Sequence, residues 1–186
     1  MINSLLKKTF NIPFFLFLSL VAFSNAAQAD SASVIDIKVN EALNKFYTEV
    51  KSAKKLVKKA RGVLVFPSVI KAGFGIGGEY GEGALRIKGK TVDYYSTAAA
   101  SIGFQLGAQS KAIILLFMEQ KALSDFRKSE AWEIGVDGSI VLVKVGVGGS
   151  LDTTTLNQPI IGFVFTNKGL MYNLTLEGSK MTKLKK

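Results

Sequence analysis

Residues 61–83 read RGVLVFPSVIKAGFGIGGEYGEG, and this stretch decides the fold. Val63 to Phe66 is a short apolar run of the kind that forms a buried strand. Pro67-Ser68 is expected to break it. From Ala72 the chain alternates, with Ala72, Phe74 and Ile76 on one face and Gly73, Gly75 and Gly77 on the other. Gly73, Gly75, Gly77, Gly78, Gly81 and Gly83 fall within eleven positions. That density requires unusual backbone angles or very close approach by another group.

The same pattern recurs downstream. Ile102, Phe104 and Leu106 alternate with Gly103, Gln105 and Gly107; Val143, Val145 and Val147 alternate with Lys144, Gly146 and Gly148. Strands with one large apolar face and one glycine-rich face predict a strongly curved sheet, barrel-like or sandwich-like. Further strands are expected at 84–87, 91–95, 113–117, 132–136, 160–166 and 170–176. Lys88-Gly89-Lys90 and Asn167-Lys168-Gly169 read as hairpin turns. Residues 150–158 read as a polar loop.

Upstream, Ser33 to Ala60 reads as one amphipathic helix. Ser33 and Asp36 make a capping-box-like start. Ile35, Val39, Ala42, Leu43, Phe46, Val50, Ala53, Val57 and Ala60 form a stripe about 100° wide. Lys38, Lys45, Lys51, Lys55, Lys58 and Lys59 lie opposite. A second, short helix is expected over Glu119 to Lys128, buried through Ala122, Leu123 and Phe126. The fold class is therefore α+β: these two helices packed on a strongly curved, mainly antiparallel β core.

The first 29 residues stand apart. Lys7 and Lys8 precede an apolar run from Phe10 to Phe23, and Ala27-Gln28-Ala29 supplies an A-x-A site. This is the pattern of a secretory signal peptide cleaved before Asp30. Residues 30–186 then form a single domain, long enough for a sizeable core. They carry 22 basic against 14 acidic residues, a net of +8. Such a chain suits anionic partners: phospholipid headgroups, lipopolysaccharide phosphates or nucleic acid. No cysteine is present, so neither a disulfide nor a lipoprotein anchor is available. Export without cysteine points to a periplasmic or secreted protein.

Catalytic signals are sparse. There is no histidine and no cysteine, which removes the commonest general base, nucleophile and transition-metal ligands. GFGIGG at 73–78 matches G-x-G-x-x-G, but the glycine-rich Glu79-Tyr80-Gly81-Glu82-Gly83 follows where a dinucleotide site needs a helix. Glu79 and Glu82 are a candidate carboxylate pair in a solvated loop. Trp132 and Phe163 read as core. The chain is expected to be no enzyme, to need no cofactor and to bind no nucleotide.

Five blocks resemble the SYLF domain in the family's order: GVLVFPSVIKAGFGIGGEYGEGAL, YYSTAAASIGFQLGAQ, LLFMEQKALSDF, AWEIGVDGSI and GFVFTNKGLMYNLTLEGSKM. The resemblance implies a lipid-binding module. Eukaryotic members bind phosphoinositides through a basic, amphipathic N-terminal region, and yeast relatives bind actin. The positions here that match the lipid-binding role are Lys51, Lys54, Lys55, Lys58, Lys59 and Arg61, joined by Lys71 in the adjoining block. In a bacterial envelope the implied ligands are anionic phospholipids or lipid A at a membrane surface. Nucleic acid is not expected as a partner. The alternative is an envelope assembly factor that works through a protein partner.

Overall fold

The computed structural model describes residues 30–103, 109–143, 157–166, 169–171, 176 and 178–186. The signal-peptide reading of 1–29 lies outside this set. So do Phe104 to Leu106, Val145 to Val147, most of the 150–158 loop and most of the 170–176 strand.

The predicted long helix is two helices. Helix α1 spans Ala32–Glu49 and α2 spans Ala53–Lys59. The N-cap is Ser31, not Ser33: its hydroxyl accepts from the Val34 N–H at 3.4 Å. Val50 leaves helical angles (φ −117°, ψ 105°) yet is buried, so the chain turns to keep this β-branched residue in the core. The break shifts the apolar stripe. Ile35, Val39, Leu43 and Phe46 are buried as expected, but beyond the break the buried pair is Ala53 and Leu56, and Val57 is only half-buried.

Strand β1 runs from Gly62–Ile87, through both Pro67 and the glycines. Pro67 does not break it. The proline sits where the register slips between Phe66 and Val69, in a bulge, so its missing N–H costs no ladder bond. Strand β2 is Lys90–Gly103 and β3 is Gln109–Phe117. The first part of β1 pairs with β3, from Gly62↔Phe117 to Lys71↔Gln109; the last part pairs with β2, from Gly75↔Gly103 to Ile87↔Lys90.

Between those parts β1 doubles back. Eighteen residues of straight strand would separate Val65 from Gly83 by about 60 Å. Instead a Cβ placed on Gly83 would fall 2.8 Å from the Val65 carbonyl carbon, and one on Gly81 2.6 Å from the Ser68 oxygen. On Gly77 it would fall 2.9 Å from the Gly73 Cα. The densest glycine run is therefore a reversal of the chain over 73–76, followed by glycines that let the returning half lie against the outgoing one. At the far end Lys88 (φ 51°) and Gly89 (φ 80°) form the expected tight turn into β2.

The remaining elements are α3, Gln120–Lys128; β4, Ala131–Glu133; β5, Val141–Leu142; β6, Ile160–Thr166; β7, Gly169–Met171; and β8, Lys180–Leu184. One sheet has the order β4-β8-β2-β1-β3-β6-β5, with β7 paired to β6. All pairings are antiparallel except β5 with β6. The sheet curls into a half-barrel. The α+β class and curved core predicted above are observed.

Both faces of the central strands are buried. Val63, Val65, Ile114, Leu116, Phe163 and Phe165 pack against α1 and α2. Their neighbours Leu64, Phe66, Ile113, Leu115, Phe117 and Val164 pack against α3 and Trp132. Ala84 shares the first core and Leu85 the second, so the returning half of β1 contributes to both.

Candidate functional site

Lys51, Lys54, Lys55, Lys58, Lys59 and Arg61 make up six of the eleven residues from 51 to 61, and no acidic residue interrupts them. Ala53 and Leu56 fix α2 to the sheet, each less than 5 % exposed. The helical period then turns Lys54, Lys55, Lys58 and Lys59 outward. All six cations are exposed, and none forms an ion pair among the described residues. Six of the seven predicted site residues are thus brought together. Lys71 is not among them. It lies ten residues along β1 from Arg61, about 30 Å away at strand rise.

Helix α1 is fixed by a polar hub on Asp36. Its carboxylate accepts from Thr91 at 2.7 Å and from the Tyr94 hydroxyl at 3.0 Å, and Arg86 lies 3.7 Å away. Arg86 also donates to Asn40 at 2.6 Å. Burial, then the Asp36 carboxylate, pushes the Tyr94 pKa up. This hub ties α1 to the strands beside the β1–β2 turn.

The C-terminal lysines behave differently. Lys183 meets Asp93 at 2.6 Å, and Lys186 meets Glu82 at 2.8 Å and the Asp30 carbonyl. Lys180 and Lys185 are exposed. The candidate carboxylate pair is also resolved. Glu79 meets Lys111 at 2.6 Å, while Glu82 takes Lys186 and the Tyr80 hydroxyl (2.9 Å). The two glutamates are odd and even residues of one strand, so they face opposite sides. Neither sits in a solvated loop. Burial and then Glu82 push the Tyr80 pKa up to about 12.

Two clefts flank the helices. One, of about 330 Å³, lies between α1 and the Pro67 bulge and is lined by Lys38, Lys45 and Lys111. Each of these lysines has an acidic partner: Asp30, Glu49 and Glu79. The other, of about 290 Å³, lies between Arg61 and α3 and includes Arg127 and Lys128. No motif in the sequence points to it directly. Its one local hint is Gly62, where a Cβ would fall 2.7 Å from Leu123 Cδ1, so the glycine lets α3 close on the strand.

Among the described residues no helix is long and apolar enough to cross a membrane. No curated protein matches the chain. A family model described as "Ysc84: Las17-binding protein actin regulator" matches residues 98–186, from the end of β2 through β8. The matched range takes in the last three of the blocks read from the sequence, on a curled sheet that holds all of the matched strands. The match spans residues 98–186 and supports a SYLF domain over that part of the chain.

Proposed function

We propose that the protein binds anionic lipid at the bacterial envelope, without catalysis, through the basic face of α2. The observation that carries this reading is the set of six exposed cations from Lys51 to Arg61 that form no ion pair among the described residues. Near an anionic surface each contributes about 1 kcal/mol. The buried stripe of α1 is already used by the core, so attraction is electrostatic rather than insertional. The absence of histidine and cysteine, and the ion pairing of Glu79 and Glu82, support a binding role over an enzymatic one.

The leader places this activity outside the cytoplasm. Cleavage after Ala29 gives a protein that starts at Asp30, the residue before the α1 N-cap. N-terminal sequencing of the protein from its native host should begin within a few residues of Asp30; an intact Met1 would contradict export with cleavage. An exported protein does not meet cytoskeletal actin, so the actin-regulating description of the matched family is not carried over.

Vesicle flotation tests the reading. The protein should float with phosphatidylglycerol or cardiolipin vesicles and remain behind with phosphatidylcholine. Raising salt from 0.1 to 1 M shortens the Debye length from about 10 to about 3 Å and should release it. Equal, salt-insensitive binding to both vesicle types would overturn the electrostatic mechanism. Failure to bind any bilayer would favour an assembly factor acting through protein contacts, for which the exposed Val34 and Ile37 on α1 offer an apolar surface.

A further inference from the structure

The cleft between Arg61 and α3 combines features that the lysine face of α2 lacks. It is concave, and three cations converge on it: Arg61 from the helix–strand junction, Arg127 and Lys128 from the last turn of α3. Among the described residues no carboxylate lines it. Ser124 and Gln120, one and two turns earlier on the same helix, add neutral hydrogen-bonding groups. Arg127 is held in place because its Nε donates to Asp93 at 2.9 Å. Asp93 is itself only 9 % exposed and is shared with Lys183, so its charge is already matched by two cations. Ile87, partly exposed, gives the cleft an apolar edge, with the buried Leu123 beneath it.

We propose that this cleft holds the phosphate of a single glycerophospholipid headgroup. The deduction rests on the lipid-binding reading above and deepens it, since Arg61 joins the cleft to the lysine face. Guanidinium groups match phosphate oxygens in planar, two-pronged geometry, and Lys128 adds a point charge. The apolar edge distinguishes the two sources of phosphate. A free phosphate ion gains nothing from the exposed part of Ile87, whereas the glycerol and first methylenes of a lipid cover it. The α2 lysines then supply diffuse attraction and the cleft a discrete seat.

The seat can be tested without a membrane. Full-length protein is titrated with dihexanoyl phosphatidylglycerol below its micelle concentration, and separately with inorganic phosphate. Saturable binding of one short-chain lipid per protein is expected, at least tenfold tighter than phosphate. Arg61→Gln with Lys128→Gln should weaken it tenfold or more, as the loss of charge-assisted hydrogen bonds predicts. Both side chains are exposed, so the fold should persist; unchanged circular dichroism and melting check this. Replacing Lys54, Lys55, Lys58 and Lys59 by glutamine should leave this titration unchanged while abolishing vesicle flotation. No saturable binding, phosphate binding as tight as the lipid, or equal loss in the α2 variant would each overturn the seat. Loss of flotation by the wild-type protein, with the soluble titration intact, would instead remove the membrane reading and keep the cleft.

Discussion

The chain has two lysine clusters of similar sequence appearance, and the fold treats them in opposite ways. In α2, Lys54, Lys55, Lys58 and Lys59 project from a helix whose other side is buried, and among the described residues none of them forms an ion pair. In and after β8, Lys183 and Lys186 are bound to Asp93 and Glu82, and the Lys186 and Glu82 side chains are only 11 % and 8 % exposed. The first cluster is charge free to act on something outside the molecule. The second is partly spent on holding the sheet edge together. Formal charge in a sequence therefore measures binding capacity only after internal partners are subtracted.

The largest expected effect breaks the comparison if it fails. Replacing Lys54, Lys55, Lys58 and Lys59 by glutamine should cost about 4 kcal/mol of vesicle affinity, roughly a thousandfold, at ~1 kcal/mol per charge. The same change at Lys180, Lys183, Lys185 and Lys186 should lower affinity far less; flotation at fixed lipid reads both. An equal or greater loss in the C-terminal variant would move the binding site to β8.

The next effect reverses the ranking when stability is measured. Lys186→Gln leaves Glu82 with its charge buried and uncompensated, at a cost of about 3 kcal/mol. Lys58→Gln should change stability by less than about 0.5 kcal/mol. Urea midpoints of the two variants provide the check, and similar midpoints would mean that the C-terminal pair is not structural.

A smaller effect tests the sheet beneath both clusters. Gly77→Val pushes a side chain into the backbone at Ala72 and Gly73 and should destabilise by about 2 kcal/mol. Vesicle affinity of the folded variant should not change, because α2 is remote from the reversal. Unaltered melting would mean that the two halves of β1 are not in close contact.

The smallest concerns pH. Burial, then Asp93, raises the Tyr95 pKa to about 12, against 10.0 when exposed. The unfolded chain therefore loses this proton first, and stability should fall as pH rises from 10 to 12. Tyr95→Phe should shallow that fall, as followed by alkaline unfolding curves. An unchanged slope would assign the fall to other groups.

How much of this was legible depends on whether local pattern or distant contact decides each element. Ile160–Thr166 is apolar throughout and β-rich, and it forms its strand over the bounds read from sequence. The buried face of α3 is carried by Leu123 and Phe126 as its spacing implies, with Ala122 only half-buried. Strand β8 was missed because Lys-Met-Thr-Lys-Leu offers just one fully buried residue, Met181, and owes its place to pairing with β2. Pro67 was read as a breaker because a bulge is a property of two strands, not one. The α2 lysines were legible as a run of like charge. The cleft was not, because Arg61 and Lys128 are 67 positions apart and meet only once α3 folds back over Gly62.

The division of the N-terminal helix has a consequence for stability and function together. In α2, Lys54 and Lys58 are four residues apart, as are Lys55 and Lys59, which makes two rows of like charge on seven residues. Each such pair opposes the helix by about 0.2–0.5 kcal/mol, and a helix this short does not persist alone in water. The segment is helical because Ala53 and Leu56 are anchored in the core. It is thus a loaded element, held in a conformation that its own charges resist. An anionic surface discharges that tension, so adsorption and helix stability reinforce one another, and a variant with a calmer α2 would be the sturdier protein and the poorer ligand for lipid.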